Sequence, residues 1–210
     1  MLTIALLLVG CGGRARPTTL EPAAAAEAIA ATAPDRPLRV VFEWTMLDGE
    51  ARFTGSGAAR IEPPYRARLD LFGPRGEAYA SAAVVDADVR LPPGTRNVPL
   101  PPAAMMWALL GVVRPPDQAV LAATERRDDR TVLYYVVDDG RLRYTLAGRR
   151  LVAARWDHGG RMDVELGPAR SGIPARAAYR DWSGHTELIM NLEQVDEVES
   201  FPTDIWNPGA

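Results

Sequence analysis

The chain has one cysteine, two histidines and no lysine in 210 residues. With the single cysteine at position 11, no intrachain disulfide can form. A domain of this size can rest on its own buried core instead. The histidines, His158 and His185, fall in a turn and at a strand start, with no helical carboxylate–histidine pattern around them. No metal site and no other cofactor is expected. All 24 basic residues are arginines against 27 acids, a net charge of -3. That balance lacks the basic excess of a nucleic-acid binder, so no nucleic-acid partner is expected. Phosphate-binding glycine patterns are absent too. Asp181, Ser183 and His185 stand close together in "DWSGH". A catalytic triad is defined by geometry and usually draws its members from distant positions, so this reads as a polar turn. No catalytic residue and no enzyme activity is expected. No apolar run reaches the length of about 20 residues that spans a bilayer.

What is present begins at the N-terminus. Leu2 to Val9 is continuously apolar and matches the apolar core of a secretory signal. Leu8-Val9-Gly10-Cys11 resembles the bacterial lipobox. A buried core cysteine is the plainer alternative, but the position favours lipidation of Cys11. No positive charge precedes Cys11, and a start codon upstream of Met1 would supply one. The organisation expected is a lipoprotein signal over residues 1–10, a lipidated tether over 11–37, and a β domain over 38–210. The tether contains an alanine-rich helix from Pro22 to Ala33, started and ended by proline. In the sorting rule of such lipoproteins, Gly12 fits the outer membrane. The localisation expected is therefore the cell envelope, lipid-anchored in the outer membrane and facing the periplasm.

From Leu38 the period is two. Val40, Phe42, Trp44 and Met46 share one face, and Val41, Glu43 and Thr45 the other. Residues 51–61 and 66–72 alternate in the same way, as do antiparallel strands with one dry and one wet face. Asp48-Gly49 signals a tight hairpin. Further strands are expected at 77–85, 88–91, 118–126, 131–137, 141–147, 150–157, 161–166, 174–182 and 186–195. Short strands with turns every 8–12 residues suggest a barrel or sandwich. The dry face carries many small residues, among them Gly55, Gly57, Ala59, Ala67, Ala80 and Ala82. Either a helix packs tightly on them or they border a cavity.

One segment breaks the pattern. "PLPPAAMMWALLGVVRPP" is apolar throughout between its proline pairs. A helix apolar on every side must be buried, so it is expected across the open side of the sheet, as a plug or as a lid. The acidic tail from Thr186 to Ala210 has no basic residue. It reads as a solvated face or a docking patch for a basic partner. Pro202 predicts a short helical turn that packs Phe201, Ile205 and Trp206 on the body.

These residues resemble the lipoprotein-localisation-factor (LolA/LolB) superfamily. Residues 66–91 are similar to the strand, Pro-x-Gly loop and strand of its lipid-anchored LolB branch. Residues 105–116 are similar to that branch's Trp-x-Leu-Gly segment before proline, with Trp107 and Gly111 in matching places and one residue more between them. The resemblance implies a mainly β fold: an open, unclosed antiparallel barrel or strongly curved sheet of about 11 strands, with a short apolar helix capping its concave side. It implies an outer-membrane lipoprotein that binds acyl chains of lipids or lipoproteins, receiving lipoproteins for insertion. The implied partners are the membrane, the acyl cargo and a periplasmic carrier protein. The cavity would be lined by Phe42, Trp44, Phe53, Leu69 and Leu71. Met105, Met106, Trp107 and Leu110 would form the lid. Pro74 and Arg75 would form the membrane-facing loop, where the LolB branch carries an exposed leucine between its Pro and Gly. A generic lipid carrier and a non-binding scaffold of an envelope assembly remain as alternatives.

Overall fold

The computed structural model describes residues 19–95 and 100–208. The signal segment, Cys11 and Gly12 lie outside the described residues. Twelve strands make one antiparallel sheet. The first five are β1 (Leu38–Asp48), β2 (Ala51–Glu62), β3 (Arg66–Phe72), β4 (Ala78–Val85) and β5 (Asp88–Arg90). After a crossover come β6 (Val120–Arg127), β7 (Arg130–Val137), β8 (Gly140–Ala147), β9 (Arg150–Asp157) and β10 (Arg161–Leu166). A two-stranded ribbon, β11 (Ala169–Arg170) and β12 (Ile173–Pro174), precedes β13 (Arg176–Asp181) and β14 (Thr186–Glu197). The strand expected over 174–182 is thus split between the ribbon and the main sheet.

The order in the sheet is β5-β4-β3-β2-β1-β14-β13-β10-β9-β8-β7-β6. Its two halves are meanders, joined where β1 pairs with β14, from Leu38 opposite Glu197 to Asp48 opposite Thr186. The edges β5 and β6 do not pair with each other, so the sheet is not closed into a barrel. Gly49, at φ 59°, forms the tight turn between β1 and β2 that Asp48-Gly49 predicts.

The alternation of the sequence sets the two faces. Val40, Phe42, Trp44 and Met46 on β1 are buried, and so are Leu133, Tyr135 and Val137 on β7. Helix α1 (Pro22–Thr32) turns Ala24, Ala25 and Ala28 inward and packs against β6 and β9. Helix α2 (Ala103–Leu109) lies in the crossover between the two edges and contacts β9, β10 and β13. Its Met106 faces Leu69 and Ala80 of the opposite half across a small gap, so the sheet curves round it.

Two carboxylates are buried on the outer face. Asp70 accepts from Arg60, Arg68 and Ser81. Asp163 accepts from Arg155 at 2.6 Å, Arg161 at 2.7 Å and the Trp182 indole at 2.8 Å. Burial alone would raise the Asp163 carboxyl, but those donors outweigh it and hold it below the usual carboxylate range. The tail packs over β3 and β4 through a 3-10 turn, Thr203–Trp206, and buries Trp206.

Candidate functional site: a helix held inside an open sheet

Helix α2 starts and stops by backbone chemistry alone. The amides of Met105 and Met106 donate to the Pro102 carbonyl at 2.8 and 2.9 Å. At the other end Gly111 takes φ 84°. The Val112 amide then reaches back to the Trp107 carbonyl, and the Gly111 amide to that of Ala108. This is the Schellman stop, which needs a left-handed residue and so favours glycine. Pro115 and Pro116 prevent any restart. Between these signals Ala104 to Leu110 are all buried.

Both neighbouring loops and α1 grip this segment. The Trp107 indole donates to the Asp86 carbonyl at 2.7 Å, in the β4–β5 turn. The Tyr65 ring meets Trp107 edge-on at 5.9 Å, and the Arg114 guanidinium stands 4.9 Å over Tyr65. Arg114 is 3.4 Å from Asp86 and 3.1 Å from Asp117. Burial raises the Tyr65 phenol, with Arg114 opposing and Asp86 assisting. Past the helix, the Val113 amide donates to the Thr32 hydroxyl at 2.9 Å, and that hydroxyl donates to the Ala28 carbonyl. The exit from α2 is thereby tied to the end of α1.

No family model matches the sequence, and no curated protein matches it. Solved structures do. A LolA superfamily protein from Nitrosomonas europaea aligns over 90% of this chain and 98% of its own, with TM-score 0.58 and 12% identity. The fold is that of the LolA superfamily. A putative outer membrane lipoprotein-sorting protein domain from Vibrio parahaemolyticus aligns over 87% of this chain and 94% of its own, with TM-score 0.50 and 10% identity. A DUF1329 family protein from Desulfovibrio piger aligns over 90% and 98%, with TM-score 0.54 and 9% identity. At such identities the likeness is one of fold.

Within this LolA-like fold, most of the residues singled out from the sequence converge. Phe42, Trp44, Leu69 and Leu71 are buried on the inner face. Met105, Met106, Trp107 and Leu110 are buried against them or nearby. Apart from Leu110, whose edge reaches a cleft at the end of the helix, they make a packed core and do not line an open space. Between Leu69, Leu71, Ala80, Met106 and Leu188 the cavity is about 20 Å³. A ligand pocket usually measures about 300–1,000 Å³. The expected cavity is therefore filled, because α2 occupies it. The small residues serve close packing: a Cβ on Gly57 would stand 2.3 Å from the Phe42 ring, and Ala80 and Ala82 border the same small gap as Met106 and Leu109.

Phe53 is misplaced by the period-two reading. It is 38% exposed and stacks at 5.4 Å on Tyr79. Its partner Met46 on β1 is buried, but β3 pairs with β2 only as far as Ser56, so Phe53 has no strand beside it on that side. The β1–β2 hairpin runs on past this point, leaving Ala51 to Thr54 exposed. Pro74 and Arg75 sit in an exposed turn, set by the Gly73 amide on the Glu77 carbonyl and by Gly76 at φ 80°.

Two inner-face tyrosines escaped the sequence reading. Tyr135 and Tyr144 meet edge-on at 6.1 Å; the buried Tyr135 hydroxyl has no partner among the described residues, and that of Tyr144 has the Arg114 backbone beside it without a well-formed hydrogen bond. Burial pushes both phenols up, Tyr144 far above the ordinary range. The signal was there: both fall on the inward positions of Leu133-x-Tyr135-x-Val137 and Leu142-x-Tyr144-x-Leu146. His158 is 2.9 Å from Asp139 in neighbouring turns. Asp181 accepts from the amides of Ser183 and Gly184, which makes "DWSGH" a polar turn. Among the described residues no group of His, Cys, Asp and Glu is placed to hold a metal.

Proposed function

We propose that this chain is a non-catalytic lipoprotein of the cell envelope that takes acyl chains of lipid or lipoprotein into the space α2 occupies. The observation that carries the reading is the position of α2. It is apolar on all sides, lies inside a sheet whose edges do not pair, and is joined to those edges by proline-bounded segments. Such a helix is a built-in guest. Two adjacent methionines give it a surface that can repack.

Magnitudes permit an exchange. Each of Met105, Met106, Trp107, Leu109 and Leu110 gains roughly 1.5–3 kcal/mol from burial, about 8–15 together. A chain of about sixteen carbons gains on the order of 12 kcal/mol at about 0.8 per methylene. Guest and plug are comparable, so a small bias decides which one is inside. The LolA-like fold supports the reading, and one structure of that fold is described as a lipoprotein-sorting domain. Lipidation at Cys11 and sorting by Gly12 would hold the protein at the outer membrane, receiving cargo from a periplasmic carrier. Arg75 stands where the LolB branch has leucine. It suits contact with lipid phosphates better than insertion among acyl chains.

The filled interior favours a second reading, a scaffold lipoprotein that binds no lipid. Native mass spectrometry of residues 12–210, purified without the anchor, separates the two. A co-purifying mass of acyl or phospholipid size, lost in Trp107→Glu, supports the carrier. A clean mass after incubation with lipids and acylated peptides overturns it in favour of the scaffold.

A further inference from the structure

A cleft of about 220 Å³ opens where the end of α1, the end of α2 and the β8–β9 turn meet. Its floor is apolar, with Leu38, Ile61, Leu110, Val112 and Ile173. Leu110 and Val112 flank the Gly111 stop of α2, so the floor adjoins the occupied interior. The rim is cationic. Arg36, Arg149 and Arg150 line it with one carboxylate, Asp35. Arg36 is already neutralised, 3.3 Å from Asp35 and 2.7 Å from Glu197. Arg149 and Arg150 are exposed, and neither forms an ion pair among the described residues. The pair is held in place by a tight turn, with Gly148 at φ 57° and its amide on the Asp129 carbonyl.

We infer that this cleft is the entry site for an amphiphile made of one acyl chain and a phosphate-type anionic head. Guanidinium groups are weakly hydrated and fork onto phosphate oxygens. With the head at Arg149 and Arg150, the first methylenes lie on Leu110 and Val112. The tail then meets the plug end-on, where displacing it begins. This rests on the acyl-binding reading and adds to it the charge of the ligand and the point of entry.

The test is a titration of the full chain carrying Cys11→Ser with dodecyl phosphate, dodecyl maltoside and inorganic phosphate, followed by methyl NMR. Dodecyl phosphate should bind at least tenfold tighter than the maltoside and shift the methyls of Leu110, Val112 and Ile173 first. Arg149→Gln with Arg150→Gln should remove that preference and leave maltoside binding and the urea midpoint unchanged. Equal affinity for both heads, or no loss in the double variant, overturns the inference. So does inorganic phosphate binding as tightly as dodecyl phosphate, which would make the cleft a simple anion site. Shifts at Leu69 and Leu188 alone keep the acyl-binding reading and remove this entry site. Absence of binding by either amphiphile overturns both.

Discussion

At Gly57 the absence of a side chain is what lets the inner face close. The Phe42 ring lies over the strand where a Cβ would be, 2.3 Å from its Cε2. Gly57→Ala should therefore push Phe42 out of its place and lower stability by about 1–3 kcal/mol, as overpacking does. A urea melt at constant slope would measure it, and an unchanged midpoint would mean the ring has room to turn. Asp163 is a different kind of residue, a charge that the fold uses. Its carboxyl is more acidic in the folded chain than in the unfolded one. Its contribution is thus complete above the unfolded value of about 3.9 and is lost as pH falls through the lower folded value. Asp163→Asn, which leaves Arg155 and Arg161 facing a neutral amide, should cost about 1–3 kcal/mol at neutral pH. The gap between wild type and variant should hold down to about pH 5 and narrow below pH 4. Unfolding curves from pH 2 to 7 would check it, and a gap independent of pH would show that charge is not what matters there.

At the scale of elements, the question is how firmly α2 is kept inside. Its apolar contacts hold it without direction, whereas three polar contacts fix its register: Trp107 to Asp86, Arg114 to Asp86, and Val113 to Thr32. The last is the most exacting. Val113 is fully buried, so its amide has no water to turn to. Thr32→Val keeps the shape and removes the acceptor, and an orphaned buried amide costs about 1–3 kcal/mol. Hydrogen exchange at Val113 and its neighbours should quicken by about tenfold or more, while exchange in β1 and β14 stays slow. Equal protection in the variant would mean that packing alone retains the plug. If the acyl-binding reading holds, the same variant should take up acyl chains faster, because the segment that must leave is held less tightly.

For the whole molecule, local pattern and long-range pairing were unequally legible. Strands β1 to β4 and β6 to β10 could be read because one dry face writes itself as a period of two, and the apolar stretch between proline pairs announced a buried helix. The pairing of β1 with β14 could not, since Leu38 and Glu197 meet from opposite ends of the domain and leave no local trace. Nor could the sequence decide between cavity and plug, because Met105 to Leu110 would read the same in either. Phe53 failed for a related reason: alternation tells the side of a strand and not where the core stops along it. The same topology dictates how the molecule should fold. Strand β14 lies between β1 and β13 and is the sole link between the two meanders in the sheet order. A chain ending before Thr186 would expose the inner faces of both halves and leave α2 without the floor that Leu188 provides. Non-local pairing is also slow, since loop closure must precede any gain. Refolding of the full chain should take milliseconds to seconds, and the chain ending at His185 should lose cooperative unfolding altogether. A chain ending at Glu199 keeps β14 and loses only the tail over β3 and β4. It should still unfold in one step, at a lower temperature. Circular dichroism melts of the two truncations would decide the matter, and a cooperative transition in the shorter one would mean that the meanders are independent units.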